Sequence, residues 1–576
     1  MKKYLLSILF AMFGIITYAQ NEPAITLTAK VEGKPLTLNF AVSEAGHKFK
    51  VDWGDGNLVE TEEIAVDDGW TTTTVTGIPL GEGKISVYGE KLVVLDCSYA
   101  ANDGTKLTAL DVTKATDLTK LTCNTHEITT LDVSKNVNLT ELVCSNNPIT
   151  SLDLSANTQL TSLDGTNMSL TEIDVTKNTA LKKLMLNDNQ IESIDLSANP
   201  ELNTLNINNN LLSEIDLSQN TALATVNIQS NKLSTLDLSM CDKLSVVFCN
   251  GNEITSLKVG SVKTRLNCSD NRLSLANLPL PGSKYFIYAP QKGMPVAQRI
   301  WPGETIDLSA QDNLTGLAAE AQKTTFVWKT GDTELQEGTD YTVENNVFTF
   351  LKAFDEPVYC EMATAAFPDF ADANIFKTEN VTVETEPELY LTLTTQVDGN
   401  ERNLTFASTT EANRIIVDWG DGKRVASEVI AMADEYGTTT TVTGTPAGEG
   451  HIKIYAREIS VFGCDSRVDG AQVTAINTSA ATDLRELNVY TNALKTLDLS
   501  QNANLEKLNC YNNSLEELDL TGNKKLTRLD AKDTPLAKID LSQNTELDYL
   551  SLNNCPIEAI DLSNNTKLSS LYLLNC

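Results

Sequence analysis

The tripeptides Leu110-Asp111-Val112, Leu131-Asp132-Val133 and Leu152-Asp153-Leu154 begin 21 residues apart. The series continues at the same step through Ile173, Ile194, Ile215, Leu236 and Leu257, and a second series runs Ile476, Leu497, Leu518, Ile539 and Ile560. A fixed period of this size means that one short unit is repeated and that no unit buries its apolar face alone. Within a unit, Leu121-Thr122-Cys123 and Leu131-Asp132-Val133 alternate apolar and polar residues, the period of an extended strand. Each turn therefore holds two short extended segments and has no room for a full helix. Stacking places equivalent residues about 4.8 Å apart, so Leu, Ile and Val form inner columns. Asn147, Asn189, Asn210, Asn231 and Asn252 recur at one turn, and Asn136, Asn157, Asn178, Asn199 and Asn220 at the other. Their amides can bond along the column and satisfy turn backbone groups.

Written out, one unit reads Leu142-Val143-Cys144-Ser145-Asn146-Asn147-Pro148-Ile149-Thr150-Ser151-Leu152-Asp153-Leu154-Ser155-Ala156-Asn157. This resembles the leucine-rich repeat in its short form, and all thirteen units of the two series match it. The cysteines follow the same pattern. Cys123, Cys144, Cys249, Cys268 and Cys510 take an inward strand position, where Cys serves as a small buried hydrophobe. Cys555 and Cys576 fall on an Asn-column position. The 11 cysteines are an odd number, so at least one is unpaired in a monomer. In-register Cβ vectors run parallel, which disfavours bridges between rungs. A short repeat with Cys in the ladder is similar to the internalin group of bacterial surface proteins. That resemblance implies an adhesive array followed by an immunoglobulin-like domain.

Two other segment types interrupt the repeats. Val51-Asp52-Trp53-Gly54-Asp55-Gly56 recurs as Val417-Asp418-Trp419-Gly420-Asp421-Gly422, and Thr71–Gly77 recurs as Thr438–Gly444. These segments resemble the PKD-type β-sandwich, although the Phe of its W-D-F-G-D-G string is missing. Asp bonding backbone amides, with Gly at positive φ, makes the string a tight turn; a Ca²⁺ site or a catalytic Asp pair is the alternative. From Pro281 to Pro387 the period breaks and aromatic residues gather, among them Trp301, Trp328, Phe348 and Phe350. Runs such as Asn346–Phe350 read as strands, and Cys360 with Trp328 gives a faint likeness to an immunoglobulin-like core, with the first Cys absent.

Lys2 and Lys3, an uncharged apolar run from Tyr4 to Tyr18, and Ala19 before Gln20 have the form of a secretory leader, similar to signal peptides of the Bacteroidota. No later apolar stretch could span a bilayer. The expected fold class is mainly β: leucine-rich-repeat solenoids of 21-residue units with short parallel strands, flanked by PKD-like and Ig-like β-sandwich domains. The expected organisation is a signal peptide at 1–19, a PKD-like domain at 24–95 and a solenoid at 96–280. An Ig-like domain at 281–387, a second PKD-like domain at 388–462 and a second solenoid at 463–576 follow. Leu571–Cys576 parallels Leu550–Cys555 with no cap after it, so a fragment of a longer polypeptide is expected.

Lys and Arg total 44 against 77 Asp and Glu, a net charge of −33, which is the opposite of a nucleic-acid binder's footprint. It also argues against adhesion to anionic lipid. Only 3 His are present, and His47, His126 and His451 are unclustered in the sequence, with His126 replacing an Asn-column residue. No GxSxG, HExxH or Cys-His arrangement is found, so no catalytic residues are assigned and the chain is not expected to be an enzyme. The candidate binding surface is the outward side of the first strand. It comprises Thr122, Val143, Asp164, Met185, Asn206, Asn227 and Phe248, then Asn488, Asn509, Asp530, Ser551 and Tyr572, with Tyr490 and Tyr511 nearby. These positions vary while the inner ones are uniform, which suits recognition but also suits a merely solvated face. The second strand carries a column of Asp111, Asp132, Asp153, Asp174, Asp195, Asp216 and Asp237, ended by Lys258. Asp bonding turn amides is one reading of it; a Ca²⁺ row over Asp132, Asp153, Asp174, Asp195 and Asp216 is the other, with no other cofactor expected. The expected role is an exported adhesin-like protein that binds host or neighbouring-cell protein, mucin or glycan, and the alternative is a spacer or matrix component without a specific ligand.

Overall fold

A computed structural model describes residues 22–576 except 70, 100–103, 281, 412, 429, 434–436 and 465–471. The leader at 1–19 lies outside the described residues. Helical residues among those described are confined to three 3₁₀ turns, Leu275–Asn277, Ser309–Gln311 and Asp372–Asn374; the rest of the regular structure is strand. The chain divides into two compact units. One is Met1–Pro295 with Ala310–Val327 and Cys360–Glu379; the other is Val296–Ser309 with Trp328–Tyr359 and Asn380–Cys576.

In the first unit the 21-residue period becomes a β-solenoid. Three-residue strands from Lys120–Thr122 to Val246–Phe248 pair in parallel, with Leu121 opposite Leu142, then Leu163, Leu184, Leu205, Val226 and Val247. These central residues have no exposed surface. Each apolar side chain so buried contributes roughly 1.5–3 kcal/mol, and all of that burial comes from the turns above and below. The second extended segment alternates as expected, with Leu131 and Val133 buried around an exposed Asp132. Among the described residues, parallel ladder pairing of this segment is found only between Thr235–Leu238 and Ser256–Val259.

The strands before the repeats are part of the same sheets. Leu92–Asp96 pairs in parallel with Lys120–Thr122 and antiparallel with Leu36–Val42, so the parallel sheet continues into the head. The head's other sheet ends on Leu107–Asp111, the second segment of the first turn, paired with Ile25–Ala29. The head thus covers the first turn with strands instead of leaving its apolar columns in water. The far end is covered in kind: Tyr285–Ile287 adds a strand, and the Tyr288 ring packs edge-on to Phe367 and Phe370.

The second unit repeats the plan. Ile459–Gly463 pairs with Glu486–Asn488, and parallel strands follow to Ser570–Tyr572. One hydrophobic core runs from Tyr390 in the head to Ile557 in the solenoid. The Trp-Gly-Asp-Gly string is a turn in both heads. Asp52 accepts the amides of Gly54 (2.9 Å) and Gly56 (3.0 Å), and Asp418 those of Gly420 (2.9 Å) and Gly422 (3.0 Å). Gly54 sits at φ +104°, where a Cβ would come within 2.4 Å of the Leu80 carbonyl. The linked Thr-rich motif ends in glycine for a packing reason: a Cβ on Gly77 would lie 2.1 Å from the Trp53 ring, and one on Gly444 2.1 Å from Trp419.

The 11 cysteines are free thiols, all buried except Cys576. Cys97 and Cys464, which the period did not single out, extend the ladder into the heads, where they bond to the carbonyls of Thr122 and Asn488. Burial raises the thiol pKa at Cys97, Cys123, Cys144, Cys268 and Cys510, and to about 12 at Cys249, which disfavours the thiolate form.

Candidate functional site

The two Asn columns and the Asp column have backbone duties. Asn210 donates to the carbonyls of Leu186 (3.0 Å), Ile207 (3.1 Å) and Asn208 (3.2 Å) and accepts the Ile191 amide (3.0 Å). Asn147, Asn189, Asn231 and Asn252 work the same way. His126 substitutes at the first turn: its Nδ1 accepts the Leu107 amide at 3.2 Å and its Nε2 lies 2.5 Å from the Cys97 carbonyl. Burial lowers its pKa, consistent with a neutral ring that donates once and accepts once. In the other column Asn199 donates to the Val175 and Asn178 carbonyls (3.1 and 2.9 Å), while its buried Oδ1 has no partner among the described residues.

Each Asp of the acidic column closes a turn. Asp132, Asp153, Asp195 and Asp216 each accept the amide two residues on at 2.9 Å, and Asp174 at 2.8 Å. These bonds to Ser or Thr hold the carboxyls below their ordinary pKa, although at Asp132, Asp153, Asp195 and Asp216 a neighbouring aspartate pushes the other way. Asp237, which also has Lys258 at 3.1 Å, falls to about 2. Local hydrogen bonding therefore outweighs the repulsion along the row. An open groove of about 600 Å³ runs past Asp153, Asp174 and Asp195. Among the described residues no three His, Cys, Asp or Glu side chains gather as metal ligands. Each carboxylate of the row Asp132, Asp153, Asp174, Asp195 and Asp216 turns to its own loop.

The parallel-sheet face is different. Thr122, Val143, Asp164, Met185, Asn206, Asn227 and Phe248 form one register column, each half-buried. Asn488, Asn509, Asp530, Ser551 and Tyr572 form the equivalent column of the second unit. Tyr490 and Tyr511 stack in the next outward column, 4.6 Å apart and 5° from parallel. Asp530 and Ser551 are on this face in register but are buried, and Lys532 lies 3.5 Å from the Asp530 carboxylate. Of this pair, Lys532 is the more exposed group.

Each three-residue strand has two outward positions, and the candidate residues occupy only one of them. The residue before the central Leu faces out as well. That column runs Lys120, Glu141, Ser162, Lys183, Thr204, Thr225, Val246 and Arg265 in the first unit. In the second it runs Glu486, Lys507, Arg528, Tyr549 and Ser570. Period-2 alternation carried the signal, because residues on both sides of an inward Leu point outward. Within the face, Asn206 and Asn227 donate their side-chain N–H groups to the Oδ1 atoms of Asn187 and Asn208 at 3.2 Å each. Arg265 lies between the rings of Phe248 (5.8 Å) and Tyr285 (5.6 Å).

No protein-family model matches the chain, and no curated protein matches it. Solved structures do resemble it. The functional domain of InlJ from Listeria monocytogenes, which includes a cysteine ladder, is 23% identical over 82% of this chain, with a TM-score of 0.29. This chain covers 61% of that domain's length. A leucine-rich-repeat protein of Leptospira interrogans is 17% identical, covering 80% of this chain and 86% of its own, with a TM-score of 0.28. The leucine-rich effector YopM of Yersinia pestis is 14% identical, covering 75% of this chain and 82% of its own, with a TM-score of 0.26. The fold itself rests on the repeat and its strand register. Among the described residues no helix is long and apolar enough to cross a membrane.

Proposed function

We propose that the chain is a non-enzymatic binding protein whose solenoid sheet faces recognise a protein, mucin or glycan on a host or neighbouring cell. One observation carries this reading. The Asn, Asp and inner Leu columns have the same backbone or packing duty at every turn, whereas the sheet-face side chains vary from turn to turn, some bonding to one another and a few, such as Asp164 and Asn227, to the backbone two residues on. Variation concentrated on a surface with no uniform structural duty is what a recognition surface requires, and repeat solenoids present such surfaces over many turns. The leader-like start favours export, to the cell surface or the medium. The heads are proposed as PKD-like modules and the segment 281–387 as an Ig-like module that carries the second array.

The test uses the triple variant Val143→Ser, Met185→Ser and Phe248→Ser, with attachment to mucin-coated and cell-coated surfaces as the readout. The expected result is loss of attachment at an unchanged melting temperature. Attachment equal to that of the unaltered chain would favour a spacer without a specific ligand.

A further inference from the structure

The second solenoid's face carries two outward columns that flank a polar strip. One runs Lys507, Arg528, Tyr549 over successive turns, the other Tyr490, Tyr511, Lys532. The Arg528 guanidinium lies over the Tyr549 ring at 3.7 Å, and the Lys532 ammonium over the Tyr511 ring at 4.4 Å. Lys507 and Lys532 have carboxylates within reach, Glu486 at 3.2 Å and Asp530 at 3.5 Å. Among the described residues Arg528 has no carboxylate within ion-pairing distance and is held by the ring alone. In a chain of net charge −33, an arginine left without an acid is notable. The arrangement recurs on the first solenoid, where Arg265 is held between Phe248 and Tyr285, again with no carboxylate within ion-pairing distance among the described residues.

Stacking on an aromatic face occupies the plane of a guanidinium and leaves its edge N–H groups to donate in pairs to a carboxylate or sulfate. Between the two columns lie Asn488, Asn509, Asp530 and Ser551, with the Asn509 amide donating to Asn488 Oδ1 at 2.5 Å. The half-exposed amides of Asn488 and Asn509 suit a ligand rich in hydroxyl groups, Asp530 and Ser551 being buried, and this strip has no apolar side chain to receive those of a peptide. Tyr549 and Tyr572, 5.4 Å apart, continue the aromatic surface to the following turn.

We propose that this patch binds an anionic glycan, with the edge of Arg528 on the carboxylate or sulfate and the tyrosines and amides on the sugar ring. The proposal rests on the sheet face being the binding surface and adds the chemical class of ligand. The full chain is tested by surface plasmon resonance against immobilised hyaluronan and heparin, with neutral dextran and poly-glutamate as comparators. Hyaluronan or heparin should bind, more weakly as salt rises from about 50 to about 500 mM. The variant Arg528→Gln with Lys532→Gln should lose about tenfold or more in affinity at an unchanged melting temperature, and Arg528→Lys should fall between. Equal binding to dextran, tighter binding to poly-glutamate than to either glycan, or an unchanged affinity in the double variant would overturn the proposal. The first-face triple variant separates the two readings. If it abolishes mucin attachment while Arg528→Gln with Lys532→Gln leaves glycan binding intact, recognition by the sheet face stands and the glycan site falls. If neither variant changes any binding, both fall.

Discussion

The Asp edge and the sheet face are two outward surfaces of the same repeat, yet they differ in almost every respect. The edge is uniform because each Asp closes its own loop by accepting the amide two residues on. The face is varied because its backbone is already paired in the parallel ladder, and only some of its side chains, such as Asp164 and Asn227, also accept the amide two residues on. A repeat array therefore separates what holds the chain together from what can be read by a partner. A long acidic row looks like a site, but its regularity comes from turn chemistry.

The largest expected effect lies in the inner columns. Asn210→Ala removes three donated bonds and one accepted bond, and it should cost roughly 3 kcal/mol or more by chemical denaturation. Asn199→Ala removes only two and also removes a buried oxygen without a partner, so it should cost clearly less. Equal costs would show that the two Asn columns are not distinguished by hydrogen bonding.

Next in size is the response to acid. The edge carboxyls have folded pKa values below the ordinary 3.8, with Asp237 at about 2. Their stabilisation is therefore complete above pH 3.8 and is lost as pH falls through the folded values toward about 2. Melting temperature measured against pH should fall over that window. Replacing Asp153, Asp174, Asp195 and Asp216 by Asn should shrink the fall, because Asn still caps the turn without titrating. A fall of unchanged size would place the acid response elsewhere.

The smallest effect on stability belongs to the face. Val143→Ser, Met185→Ser and Phe248→Ser, measured singly, should each stay within about 1 kcal/mol, since each side chain is half-exposed on the sheet face. A larger loss at any of them would give that residue a structural duty and weaken the contrast between edge and face.

Much of this molecule is legible in its period. The inward Leu column, the parallel strands and the Asn columns follow from residues that recur every 21 positions, and His126 in an Asn position could be read the same way. Two things were not legible. The heads share sheets with the solenoids, and no local pattern in Leu92–Asp96 marks it as a strand paired on both sides. The candidate face was also read as one column, because the varied residues before the central Leu, such as Arg265 and Arg528, do not repeat. Their importance lies in what the neighbouring turn places against them, Tyr285 and Tyr549, and that is a property of stacking. The burial of Asp530 under Lys532 is of the same kind.

The molecule carries its own reporters for the central contrast. Met185 lies on the sheet face, and Met240, 59% exposed, lies in the turn beside the Asp edge. Hydroxyl-radical footprinting with and without saturating mucin reads both in one experiment. Protection of Met185, with Tyr490 and Tyr511, and an unchanged Met240 is the predicted result. Protection of Met240 with Met185 unchanged would contradict the account and put recognition on the acidic edge.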